Sequence, residues 1–220
     1  MGDANVFKKV KNATSGLFKK GKPQKPMLQK GCVGLYDALK NSYSKQDEQA
    51  NFGKDCGYEY DKSLSNDNQQ VYFNKDKNHL LFSVAGTHNA SDIGTDLKMM
   101  ASGVKSTDRY RQAEMTLGKA KAKYGDAKTT GIGSSLGGAI VSNLDLDRKL
   151  TMNKAHTNPY QKTGSNEIHV RSYGDAVSFL SQGQTHTHTI KGGNILDPRT
   201  WLKAHSTDNI KKYGWKVPDS

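Results

Sequence analysis

The chain has 220 residues, a length that suits one domain of ordinary size with a tail, and its 33 Lys+Arg against 21 Asp+Glu give a formal net charge of +12. No window of about 18 apolar residues could form a membrane-spanning helix, and no apolar run near the start is long enough for the core of a signal peptide. Two cysteines, Cys32 and Cys56, are too few for a disulfide scaffold or a four-thiolate zinc site; they either form one bridge or stay as buried apolar thiols.

The charge is concentrated at the start. Residues 1–30 hold eight Lys and one acid, Asp3, and the rest of the chain is only mildly basic. In the tail, residues 1–28, Val6, Phe7, Val10, Leu17 and Phe18 fall on one arc of a helix, and Lys8, Lys9, Lys11, Lys19 and Lys20 cover the rest. A basic amphipathic helix of this kind can lie on an anionic membrane surface, lysines at the phosphates and phenylalanines below them. Gly16 weakens the helix, and Gly21-Lys22-Pro23-Gln24-Lys25-Pro26 ends it as a linker. The same composition fits a disordered, solvated arm. Nucleic-acid binding is favoured by charge and opposed by the scarcity of Arg, which occurs only at 109, 111, 148, 171 and 199.

Helix and strand signals alternate along the body, residues 29–220. Residues 31–46 set Val33, Leu35, Tyr36, Leu39 and Tyr43 near one helix face. Residues 47–68 are polar and rich in Gly, Asn and Asp, which predicts a loop. Residues 70–73 and 79–85 predict a hairpin with a five-residue connection; the second strand is apolar on both faces, as a central strand is. A helix over 106–124 starts at a Ser106/Thr107 cap region, a strand follows over 128–133, and an apolar helix runs from 136 to about 146. Residues 167–173 and 185–190 alternate as strands, and 199–212 is the last predicted helix. This order predicts an α/β fold with a central, mostly parallel sheet and crossover helices.

The chemistry concentrates at Gly133-Ser134-Ser135-Leu136-Gly137, set between a strand and an apolar helix as a nucleophile elbow requires. Glycines flank the serine because strand and helix nearly touch there, and the helix start offers a free amide at Leu136 and a positive dipole end to an oxyanion. A Gly/Ser-rich turn or a phosphate-cradling loop is the alternative, but the Gly-Lys-Ser/Thr of a phosphate loop is missing. A serine nucleophile needs a base and an orienting acid, in this fold in the chain order Ser, acid, His. The histidines after Ser135 are 156, 169, 186, 188 and 205, and the acids include Asp145, Asp147, Glu167, Asp175 and Asp197. Asp175 directly follows a predicted strand, at the edge where the elbow opens. His205 lies in a late loop-to-helix segment, with His186 and His188 as rivals. His186 and His188 share a strand face at a spacing that could hold a metal, but no acidic or Cys partner is evident nearby.

Four segments together resemble the class 3 (fungal-type) lipases of the α/β-hydrolase fold. Gly133-Ser134-Ser135-Leu136-Gly137-Gly138-Ala139 resembles the family's Gly-His-Ser-Leu-Gly-Gly elbow. Val84-Ala85-Gly86-Thr87 with Asp92-Ile93-Gly94-Thr95-Asp96-Leu97 resembles its Arg-Gly-Thr…Asp-Trp-x-x-Asp-Leu segment. Tyr173-Gly174-Asp175-Ala176-Val177 resembles its acid loop, and Ala204-His205-Ser206-Thr207-Asp208-Asn209 its histidine segment. All four occur in the family's order, over roughly residues 30–212.

The resemblance implies a minimal α/β-hydrolase over 29–220 that hydrolyses carboxylic esters of lipids without metal or organic cofactor, and the basic tail favours anionic phospholipid interfaces over neutral fat. It implies Ser135 as nucleophile, His205 as base, Asp175 as acid, and Thr87 and Leu136 as the oxyanion hole. Ser134, Ala85 and Ile93 depart from the family's His, Arg and Trp, and the short, polar stretch from Thr87 to Ser106 argues against a large apolar lid. Asp96 is expected as a structural anchor, His88 in the pocket or on a surface loop, and Trp201 and Trp215 in packing. Two other functions fit the sequence: a catalytically silent hydrolase fold used structurally, as in a virion, or a nucleic-acid-associated protein acting through its tail. The sequence signals suit an intracellular or virion-associated place peripheral to membranes.

Overall fold

Residues 79–84, apolar on both faces in sequence, form β3 (His79–Val84), and every one of them is buried. The computed structural model describes residues 31–88, 103–155, 164–178, 186–194 and 197–218. The tail lysines 8, 9, 11, 19 and 20, the segment 92–97 with Asp96, and His156 lie outside them.

Seven strands form one sheet in the order of the chain. β1 (Glu59–Tyr60) and β2 (Gln69–Asn74) pair antiparallel, as do β2 and β3. From β3 onward every pairing is parallel: β4 (Lys128–Ser134), β5 (Arg148–Met152), β6 (Glu167–Ser172) and β7 (Thr187–Ile190). The sheet is therefore mostly parallel with an antiparallel edge, and with its flanking helices it is the expected α/β fold with a central, mostly parallel sheet.

The period-2 alternation of the strands feeds two cores. Leu80, Phe82 and Val84 pack on one face against α3 (Asp108–Tyr124) and α4 (Ser135–Asn143). Leu81 on the opposite face joins α1 (Leu35–Asn41), Ile210 and Trp215. In α3 the Thr107 side chain caps the Tyr110 amide, and Tyr110, Ala113, Leu117 and Ala120 supply the buried stripe.

Several expected elements change shape. The first helix is confined to Leu35–Asn41 because residues 33–35 are used elsewhere: Leu35 N–H donates to Trp215 C=O and Val217 N–H to Val33 C=O, both at 2.8 Å. The stretch 47–68 is not all loop, since it holds the end of α2 (Gln46–Gln49), a 3-10 turn (Lys54–Cys56) and β1. The hairpin connection is Lys75 to Asn78, one residue shorter than expected, with Asn78 at φ 45°. The last predicted helix breaks in two: α5 (Trp201–His205) stops where Ser206 turns extended, and the Ser206 hydroxyl caps the 3-10 segment Thr207–Tyr213. Cys32 and Cys56 are bridged, the first of the two alternatives, with Cα atoms 5.6 Å apart.

Candidate active site

The site grows from consecutive strand ends. β4 runs directly into α4, and the junction residue Ser135 sits at φ 54°, a left-handed conformation that a non-glycine residue adopts under strain. Such a bend brings backbones into contact. A Cβ on Gly133 would lie 2.5 Å from the Gly137 carbonyl group, and one on Gly137 would lie 2.2 Å from the Val84 carbonyl oxygen. The glycine spacing is thus a steric necessity. Leu136, in the first turn of α4, carries an amide that has no acceptor within the helix.

The segment leaving β3 closes over this elbow. A Cβ on Gly86 would lie 3.1 Å from the Ser135 Cβ, so the chain entering Thr87 passes beside the serine. Two side chains hold the segment. Arg109 of α3 donates to the carbonyls of Ala85 (2.7 Å) and Gly86 (3.0 Å). The Tyr43 hydroxyl accepts the Gly86 N–H at 3.0 Å and hydrogen-bonds Ser134 Oγ at 2.9 Å. Burial raises the Tyr43 phenol above its ordinary pKa, which keeps it a neutral donor and acceptor. Ser134 thus ties the elbow to Tyr43. His88 is exposed and packs edge-to-face on Tyr43 with ring centroids 5.7 Å apart.

Asp175 follows β6 by three residues and is fully buried. Its Oδ1 lies 2.9 Å from His205 Nδ1 and accepts the Val177 amide at 3.0 Å. Its Oδ2 accepts the Ser178 amide at 3.1 Å and the Ser178 hydroxyl. The carboxylate is therefore fixed by three donors before it meets the imidazole.

Asn153 secures the other side of His205. It follows β5 in a left-handed conformation, φ 46°, and is fully buried. Its Oδ1 accepts the Ser172 amide at 2.7 Å, and its Nδ2 donates to the carbonyls of His205 (3.0 Å) and Ala204 (3.3 Å). Asn209 Nδ2 also donates to the Ala204 carbonyl, at 3.0 Å. Two residues past Asn153, the Ala155 amide donates to the Ser135 carbonyl at 3.0 Å. The three residues 153–155 thus join the serine and histidine sides. No hydrogen bond links the Ser135 hydroxyl to His205; contacts of this kind commonly tighten only as substrate reacts.

The rival residues are engaged elsewhere. Glu167 forms a buried ion pair with Lys154 at 2.8 Å and accepts Thr151 and Ser142 hydroxyls. Asp145 pairs with Lys121, Asp147 binds the Thr129 amide, and Asp197 pairs with Arg199. His188 lies within β7 opposite Val170, and burial lowers its pKa. Among the described residues no three His, Cys, Asp or Glu side chains converge as a metal would need. Trp215 is buried as expected, whereas Trp201 is 39% exposed, with Leu202 beside it at 63%. A five-residue helix ending at His205 leaves the outer side of its first turn uncovered.

Sequence reasoning missed Tyr43, Arg109 and Asn153. Arg109 lies in an unremarkable helix start, and Asn153 belongs to a strand end that carried no strand signal. No family model matches the chain, and no curated protein does. Among solved structures it is similar to Lip2 lipase from Yarrowia lipolytica, at 12% identity over 82% of this chain and 92% of that one, TM-score 0.42. It is also similar to the Rhizomucor miehei lipase in its propeptide complex, at 12% identity over 80% of each chain, TM-score 0.48. A triacylglycerol lipase from Penicillium expansum matches at 12% identity over 86% and 92% of the two chains, TM-score 0.35.

Proposed function

We propose that this chain is a serine esterase acting on carboxylic esters of lipids, phospholipids among them, through Ser135, His205 and Asp175. One observation carries the reading. The C-terminal ends of four successive parallel strands bring Thr87, Ser135, Asn153 and Asp175 to one edge, and Asp175 holds the imidazole of His205. A strained serine between glycines is hard to explain as packing alone.

In this mechanism His205 takes the proton from Ser135 as its oxygen attacks the ester carbonyl, and Asp175 holds the imidazole in register. The amides of Thr87 and Leu136 receive the oxyanion; one such donor contributes about 3 kcal/mol to the transition state. His205 then protonates the leaving alcohol, and water, activated by the same histidine, releases the acyl group from Ser135. A lipid substrate is supported by the exposed Trp201 and Leu202, one turn before His205 on α5. Residues 29–220 are the hydrolytic unit in this reading, and residues 1–28 hold it at anionic lipid.

The test is labelling by a fluorophosphonate, wild type against Ser135→Ala, with turnover of a short-chain nitrophenyl ester alongside. Ser135-dependent labelling and loss of at least about 10⁴-fold in turnover are expected. A folded wild type that takes no label would establish the silent-hydrolase alternative. Deleting residues 1–28 is expected to weaken binding to anionic vesicles while sparing soluble-ester turnover; unchanged vesicle binding would remove the membrane role of the tail.

A further inference from the structure

We infer that Arg109 is the positioning residue of the oxyanion pocket: it aims the Thr87 amide by gripping the two peptide groups before it. The inference rests on the esterase reading above. Its starting point is a pair of consecutive carbonyls, Ala85 and Gly86, both turned toward one guanidinium, with Nη2 at 2.7 Å and Nη1 at 3.0 Å.

Peptide geometry gives that contact its consequence. In a trans peptide the C=O of one residue and the N–H of the next point in opposite directions within one rigid plane. The plane joining Ala85 to Gly86 is held at both ends, by Arg109 at the carbonyl and by the Tyr43 hydroxyl at the Gly86 N–H, 3.0 Å away. The plane joining Gly86 to Thr87 is held by Arg109 at its carbonyl, so the Thr87 N–H must point away from Arg109. A Cβ on Gly86 would lie 3.1 Å from the Ser135 Cβ, so the segment that carries this N–H runs beside the nucleophile.

Only arginine suits the task. Its planar fork presents two donors in fixed geometry, whereas lysine offers a point charge on a flexible stem and can direct only one carbonyl well. The chain carries Ala85 where the resembled family has an arginine just before Gly-Thr. Here a guanidinium reaches the same backbone from a helix, 23 and 24 residues further along.

The test compares wild type with Arg109→Gln and Arg109→Lys by three measurements: kcat and KM on a soluble nitrophenyl ester, inhibition by an alkyl boronic acid, and amide hydrogen exchange at Gly86 and Thr87. Removing an aimed oxyanion donor costs on the order of 100-fold in kcat. Arg109→Gln is therefore expected to lose about 30–100-fold in kcat with KM within threefold, to bind the boronate more weakly by a similar factor, and to exchange the two amides at least tenfold faster. Arg109→Lys should fall between, and it serves as the test should the glutamine variant not fold.

Unchanged kcat in a folded variant would overturn the inference, as would a loss of kcat with boronate affinity and exchange unaltered. The exchange measurement also separates the two claims. Faster exchange at 86–87 in a protein that hydrolyses no ester upholds the grip of Arg109 and removes the esterase reading; unaltered exchange removes the grip whatever the activity.

Discussion

At Ser135 the fold admits no additional atoms: a Cβ on Gly133 or Gly137 would run into main-chain carbonyls at 2.5 and 2.2 Å. At His205 the contacts are of the opposite kind, with Asn153 and Asn209 donating side-chain hydrogen bonds to the backbone carbonyls of His205 and Ala204 and Ser178 donating its hydroxyl to Asp175. One arm of the site is shaped by side chains that are missing, the other by polar side chains that are present. The two should fail differently. Backbone pressed on backbone cannot relax around a new methyl group, whereas a network of amides loses its strength one bond at a time.

The largest effect is expected at the serine arm. Gly137→Ala puts a methyl against the Val84 and Ala85 carbonyls, and should cost about 3 kcal/mol or more, read as lost soluble protein or a melting temperature lower by roughly 10 °C. A stable, fully active Gly137→Ala protein would break the comparison.

Asn153→Ala comes next. It removes the bonds to the Ser172 amide and the His205 carbonyl, and should cost about 2 kcal/mol, with turnover down about 10-fold or more while Ser135 keeps some reactivity to a fluorophosphonate. Asn153→Asp sharpens the point. It keeps an acceptor for Ser172 but turns a carboxylate toward two carbonyls, so it should be no better than alanine, and wild-type turnover from it would show that the amide donor does not position His205.

The smallest effect is expected outside both arms. Lys121→Ala breaks an exposed pair with Asp145 and should move stability by less than about 0.5 kcal/mol with no change in turnover. A larger shift, measured by denaturant titration, would mean that the back of α4 governs the elbow.

The same contrast explains what could be read from the sequence. The elbow was legible because only glycine satisfies its close approaches, which makes Gly133-x-Ser135-x-Gly137 a geometric signature rather than a preference. Asp175 and His205 were legible as chemistry, through chain order and the resemblance, and their 2.9 Å contact emerges across a separation of 30 residues. Asn153 was illegible because its strand, Arg148–Met152, opens on two charged residues and has no clean alternation. The helical pattern marks Tyr43 only as a core-facing residue of a longer helix, and nothing in the sequence gives Arg109 a place at the site. Their role appears only when segments 23 to 91 residues apart meet around Gly86. The break in the last helix has a similar origin, since the chain leaves α5 at Ser206 to run under α1 and return Trp215 to Leu35.

The Cys32–Cys56 bridge has a mechanical consequence. It closes a covalent ring that contains α1 and Tyr43, while the N-terminal arm joins the fold outside that ring, at Gly31, whose backbone lies against Val217. Tension reaching Cys32 therefore meets a second covalent path through the sulfurs to Cys56 and the sheet edge, in parallel with the peptide between them. The peptide that carries Tyr43 and its clasp on Gly86 bears less of such a load than it would without the bridge. Reduction of the bridge would reroute that force through α1 and onto the contact between Tyr43 and Gly86.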